Sequence, residues 1–226
     1  MSLQRNIDSR GRERKAGSHG LLTALVVVSI AGPIIFWGLL LLAQSLHPGY
    51  DPWEDSISRL IFGQFGWLQT TNFCLLTLFT AAFGATVYIC ITKSIIGRFA
   101  SLLLVLMGLA QLLTAVFHVN VNPYAPKSLA YDIHNWVLII SAGCFPFGAL
   151  LSVPSLWSDK HWHPFAYATI AAGVAALSLD LLWLVSRPIE PHLIDPWFGV
   201  YERILLSIPL AWMIIVSVRL LSLIRR

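Results

Sequence analysis

Seven side chains of this sequence have the types and positions for chemistry: Asp55, Ser58, His118, His134, Asp180, Glu202 and Arg203. Carboxylates, imidazoles, a hydroxyl and a guanidinium can together bind a polar ligand, relay a proton or hold a metal ion. Asp180 is the acidic residue set deepest in an apolar run, Leu177-Ser-Leu-Asp180-Leu-Leu-Trp183. Counted back from Ser186 along a helix, it lies roughly 9 Å below the end of its segment. A carboxylate at such a depth is costly unless it faces a protein interior or a wet cavity, so it is read as functional. The bland alternative is an Asp that only bonds a neighbouring helix. Asp55 and Ser58, three apart, share one face of a short helix. For Asp55 a surface pair with Arg59 at i, i+4 is an equal alternative. His118 ends one apolar segment, His134 opens the next, and Glu202 and Arg203 sit about two turns into the last.

The elements that must position these residues follow from composition. The chain has 226 residues, of which 57% are hydrophobic and only 12% charged, with a mean hydropathy of +0.72. Soluble domains carry about 25% charged residues. A soluble enzyme, a secreted disulfide scaffold and a disordered protein are therefore excluded, and the bilayer is the main solvent. Six apolar segments are each long enough to span it: Leu21–Leu46, Trp67–Ile91, Ala100–Val119, His134–Val153, Phe165–Ser186 and Gly199–Leu223. Their all-round apolarity predicts helices rather than alternating barrel strands. Pro33, Pro146 and Pro209 fall inside three of them and are expected to kink their helices. The predicted fold is an all-α polytopic membrane protein: a six-helix transmembrane domain over residues 21–226 behind a disordered basic tail, residues 1–20. Ala43-Gln44-Ser45 fits a small-x-small cleavage pattern, so a cleaved signal sequence is the alternative for the first segment, which is longer than a signal h-region.

Charge placement gives orientation. Of 15 Lys and Arg residues, 11 fall in the N-terminal tail, the connections that follow even-numbered segments and the C-terminus, and four in the other connections. By the positive-inside rule both termini are expected in the cytoplasm, in a plasma membrane. The tail holds no aromatic residue to stack on bases, so no nucleic-acid partner is expected. Cys74, Cys90 and Cys144 lie in apolar runs without CxxC spacing and are read as packing residues. The sequence holds no phosphate-binding glycine motif, so no cofactor is assigned, and no metal site is assigned either.

The connection His47–Gly66 has a pattern of its own. A helix from Pro52 puts Trp53, Ile57, Leu60 and Ile61 on one side, so a short amphipathic helix is predicted to lie on the bundle. Tyr50-Asp51-Pro52-Trp53 echoes Ile194-Asp195-Pro196-Trp197. Both read as helix starts, with Asp as cap, Pro in the first turn and Trp at the membrane interface.

These residues carry a resemblance. The stretch His47-Pro-Gly-Tyr-Asp-Pro-Trp-Glu-Asp55-Ser-Ile-Ser58, with Gly66-Trp67-Leu-Gln, Gly108-Leu, Val116-Phe117, His134, Gly199-Val-Tyr-Glu202-Arg203 and Trp212, resembles a prokaryotic six-helix membrane family catalogued as domain of unknown function 998. The resemblance runs from about Leu21 to Leu223 and implies the fold and the place of the site, with no activity attached. One departure stands out: where an Asp is expected after Phe117, this chain has Asn120 and Asn122.

Three functions follow as expectations. The first is binding of a lipid headgroup or small amphipathic ligand in an outer-face polar pocket, with Arg203 as an anion contact, Asp55 and Ser58 orienting the ligand and Asp180 as a buried partner. The second is an intramembrane metal-assisted hydrolase using His118 and His134 with Asp55, Asp180 or Glu202. The third is a proton-coupled transporter with Asp180 and Glu202 as relays. Membrane lipids are the expected partners in every case.

Overall fold

The computed structural model describes the backbone of residues 2–91, 94–118, 128–189 and 194–225, and the side chains of residues 19–91, 94–118, 128–186, 194 and 196–225. Six long helices appear in chain order: α1 (Ser2–Ser45), α2 (Gly66–Cys90), α3 (Ile95–Val116), α4 (Leu129–Trp157), α5 (His163–Ile189) and α6 (Phe198–Ile224). Among the described residues there is no strand. Each helix contains a stretch long and apolar enough to cross a membrane, that of α1 beginning at His19 and that of α5 ending at Ser186. The six predicted segments and the observed spans coincide to within a turn or two. Helix α4 runs through Pro146 and Pro154, as α1 does through Pro33 and α6 through Pro209. Two of the helix starts are capped by serine: Ser94 accepts from Gly97 N at 3.0 Å and Ser128 from Tyr131 N at 3.1 Å, each satisfying a first-turn donor.

Each helix packs on the next in sequence, and α1 also packs on α6, so the bundle closes into a ring. Without water to drive apolar faces together, helices in lipid associate through close packing of small residues. Gly108 of α3 illustrates this: a Cβ there would stand 3.1 Å from the Thr77 carbonyl oxygen and 3.1 Å from Thr80 Cβ, both on α2. The centre of the ring is held by Trp212 of α6. Its ring meets Phe83 of α2 and Phe145 of α4 edge-on at 5.2 and 5.6 Å, and its Nε1 donates to Thr169 Oγ1 of α5 at 2.9 Å. Four helices are thus pinned by one side chain. The three cysteines are free thiols, Cys144 buried and the others half-buried.

One end of the ring is covered by the connection between α1 and α2. The amphipathic element is there, but it is a single 3-10 helix, Ile57–Ile61, and it starts five residues later than the apolar spacing implies. Ile57, Leu60 and Ile61 are buried as expected, whereas Trp53 is 63% exposed. Asp51 and Pro52 instead open a turn, in which Asp51 Oδ1 accepts from Trp53 N at 2.8 Å and Asp51 O from Asp55 N at 2.8 Å. In the echoing segment a 3-10 turn, Asp195–Trp197, leads directly into α6.

Candidate functional site

The roof segment 50–66 is seated on α6 and α2 by backbone contact, which two glycines permit. A Cβ on Gly199 would lie 2.5, 2.6 and 2.9 Å from the carbonyl oxygens of Pro52, Asp55 and Trp53. One on Gly66 would overlap the Ile61 carbonyl outright, at 1.7 Å. In that seat Val200 N donates to Trp53 O at 3.2 Å. Glu202 and Arg203 of α6 then grip the roof from different sides.

Arg203 holds its outer part. Its Nη1 donates to Gly199 O at 2.7 Å and more weakly to Asp55 O at 3.4 Å, while Nη2 donates to Tyr50 Oη at 2.7 Å. The guanidinium carbon also lies 5.7 Å from the centre of the Tyr50 ring, within cation–π range. Tyr50 Oη lies 3.1 Å from the carbonyls of both Asp55 and Ser56, to which its hydroxyl donates. Burial of the phenol pushes its pKa up to about 12, against the opposing pull of the Arg203 hydrogen bond and charge. The carboxylate of Asp55 finds its partners within the roof segment: it ion-pairs with Arg59 and accepts from Asp51 N at 2.9 Å.

Glu202 holds the inner part. Its Oε2 accepts from Ile57 N at 2.6 Å, capping the first amide of the roof helix, a group that would have no partner within that helix. Beneath lies a cavity of about 90 Å³ between α2, α3, α4 and α6, with Ala176 of α5 also in its wall, into which Ser58 and Glu202 both face. Its walls are mainly apolar, with Phe73, Leu76, Met107, Phe145 and Leu210 among them. His134 of α4 is 0% exposed to solvent and lines the same cavity. Its Nδ1 lies 2.7 Å from the Phe117 carbonyl oxygen. A carbonyl can only accept, so Nδ1 carries the proton. Nε2 meets no protein partner, and neither does Thr80 Oγ1 on the α2 wall. On the α3–α4 side Gln111 Nε2 donates to Ser141 Oγ at 3.1 Å and Thr114 donates to the Gln111 carbonyl at 2.7 Å.

Of the seven residues singled out from sequence, Ser58, His134 and Glu202 therefore meet at one cavity. Asp55 lies in the roof above it and Arg203 reaches up to that roof, their polar groups turned to loop partners and, for Arg203, also to the Gly199 carbonyl of α6. His118 follows Phe117 directly; its Nε2 donates to Ala115 O at 2.8 Å and its ring meets Phe62 edge-on at 6.4 Å. It does not line the cavity. Asp180 is elsewhere, on α5 where Tyr201 of α6 donates to the Leu179 carbonyl at 2.8 Å. Both of its carboxylate oxygens are buried without a hydrogen bond. Asn120 and Asn122 lie outside the described residues. Among the described residues no three His, Cys, Asp or Glu side chains converge as a metal site requires.

Sequence reasoning passed over Thr80, Gln111, Thr114 and Ser141, which supply the remaining polar lining among the described residues. It also passed over Gln69 and Asn72 of α2, both 0% exposed, of which Asn72 Nδ2 donates to the Phe36 carbonyl of α1 at 3.1 Å. The signal was available: two carboxamides and a Thr within a spanning segment are costly unless they face the interior.

No curated protein and no solved structure matches the chain. A family model described as "Protein of unknown function (DUF998)" matches residues 30–219, from within the first span to near the end of the last. That range takes in the roof, the cavity and every helix that forms them, and the protein belongs to the DUF998 family.

Proposed function

We propose that this protein is a membrane-embedded binding protein that holds a small amphipathic molecule in the cavity under the Ile57–Ile61 roof, on the outer side of a plasma membrane. The observation that carries the reading is the pair of unpartnered polar atoms, His134 Nε2 and Thr80 Oγ1, at the wall of an otherwise largely apolar cavity. A buried polar atom left unsatisfied costs about 1–3 kcal/mol. Native proteins satisfy such atoms with water or a ligand. A mainly apolar chamber with a few convergent polar groups is the usual makeup of a small-molecule site. The placement of the roof on the outer side rests on the 11 basic residues assigned to the opposite, cytoplasmic side together with both termini.

The hydrolase reading has less support, since His118 and His134 have no third ligand beside them among the described residues. For Arg203 the structural role has more support than the anion contact, because Nη2 donates to Tyr50 of the roof and Nη1 to the Gly199 carbonyl of its own helix.

Native mass spectrometry of protein released gently from membranes tests the proposal. Wild type is expected to carry a small co-purifying amphiphile, and His134→Phe with Thr80→Val, which fills the cavity and removes both orphan atoms, is expected to lose it. A wild type that arrives empty and takes up no amphiphile from solution sinks the reading. Zinc bound stoichiometrically and lost in His118→Ala with His134→Ala would favour the hydrolase instead.

A further inference from the structure

The cavity's polar groups differ in a way that speaks to what it holds. His134 Nδ1 is committed as a donor to the Phe117 carbonyl. In the neutral ring, the form with the lower desolvation cost at a fully buried site, Nε2 is then a bare lone pair facing the cavity. Glu202 uses Oε2 for Ile57 N and makes no other hydrogen bond among the described residues, so Oε1 is a second free acceptor there. Among the described residues no Lys or Arg lines the cavity. Arg203, the residue after Glu202, aims its guanidinium at Gly199 O, Asp55 O and Tyr50 Oη on the roof side. Phe73 and Phe145 add two aromatic rings to the wall. A phosphate or carboxylate entering here would meet a carboxylate and a lone pair, with no cation to answer it. An ammonium group brings three donors and a positive charge, and aromatic faces attract it further.

Resting on the binding reading above, we propose that the ligand class is a cationic primary amine on a short apolar body, its ammonium donating to Glu202 Oε1 and His134 Nε2 and its chain lying among Leu76, Met107 and Leu210. A sequence-stretch such as Glu202-Arg203 suggests an anion site by its arginine; the structure turns that arginine outward and leaves the glutamate facing in.

The test uses the full chain in nanodiscs and three probes of one length: n-hexylamine, n-hexanol and hexanoate, with binding followed by calorimetry. Hexylamine is expected to bind at least tenfold more tightly than hexanol, and hexanoate not to bind. In Glu202→Gln, which keeps an acceptor for Ile57 N, hexylamine is expected to fall to the level of hexanol. Equal or tighter binding of hexanol or hexanoate overturns the amine assignment while leaving a binding protein; failure of all three probes overturns both. Should Glu202→Gln not fold, the order of the three probes on wild type decides alone. Repeating the series with and without phosphatidylethanolamine in the disc separates a lipid amine from a free one. Weaker hexylamine binding with that lipid present marks the lipid as a competitor, and unchanged binding marks a free amine; the class holds in both.

Discussion

Removing the Glu202 side chain should loosen the roof locally, by an amount that the geometry fixes in advance. Glu202 Oε2 is the acceptor for Ile57 N, at 2.6 Å. Glu202→Ala leaves that amide without a partner at the start of the roof helix. A hydrogen bond to a charged group contributes about 1.5–3 kcal/mol net. Since 1.4 kcal/mol is a factor of ten, the Ile57 amide should exchange with solvent roughly 10- to 150-fold faster, provided that exchange proceeds through roof opening. Glu202→Gln retains a neutral acceptor of the same reach, worth about 0.5–1.5 kcal/mol, so its acceleration should be smaller. The assay is hydrogen–deuterium exchange read by mass spectrometry on a peptide covering 57–61, with a peptide from the middle of α3 as reference, at one pH. An unchanged rate at Ile57 in the alanine variant refutes the argument. So does an equal acceleration in α3, which would mean that the bond stabilises the whole bundle rather than its cover.

Gly199→Ala places a methyl against three backbone carbonyls at 2.5–2.9 Å; overpacking of this kind costs about 1–3 kcal/mol, and thermal unfolding of the purified protein should shift down by several degrees, whereas an unshifted curve means that the roof yields freely. Tyr50 should ionise at about 12 rather than 10. Because the folded value is raised, the stability it contributes is complete below pH 10 and is lost as pH climbs through 12; ultraviolet titration of wild type against Tyr50→Phe should isolate one late-ionising phenol, and its absence contradicts the burial argument. Asp180→Asn removes a carboxylate that makes no hydrogen bond, so melting should be unchanged or raised; a loss above about 2 kcal/mol, the scale of breaking a charged hydrogen bond, would reveal a partner that the geometry lacks.

The six spans were readable because lipid demands long apolar helices, and Leu21–Leu46 or Gly199–Leu223 cannot be anything else in that solvent. The roof was half readable. Ile57, Leu60 and Ile61 announced a buried face, but Asp51-Pro52 reads equally well as a helix start and as the isolated turn it forms. Which difference prevails is set by Gly199 and Gly66, whose lack of a side chain lets the loop descend onto the bundle, and sequence periodicity is blind to such a long-range fit. For the site, depth along the chain grouped Ser58, His134 and Glu202, which line one cavity. Direction around each helix was not readable: Arg203, next to Glu202, turns roughly 100° away on an α-helix, and Asp180, one turn beyond the cavity-lining Ala176 on the same face of α5, does not itself line the cavity. Thr80, Gln111, Thr114 and Ser141 escaped notice because uncharged polar residues are common enough in spans to raise no alarm singly.

The closure of α1 onto α6 has a consequence for engineering. An even number of crossings brings His19 and Ile224 to the same side, and the pairing of the first and last helices makes them neighbours there. Where the chain starts on the ring is then independent of which helices touch: a short tether from Ile224 to His19 and a cut in the Ser158–Trp162 connection would give a circularly permuted chain with every helix–helix contact kept.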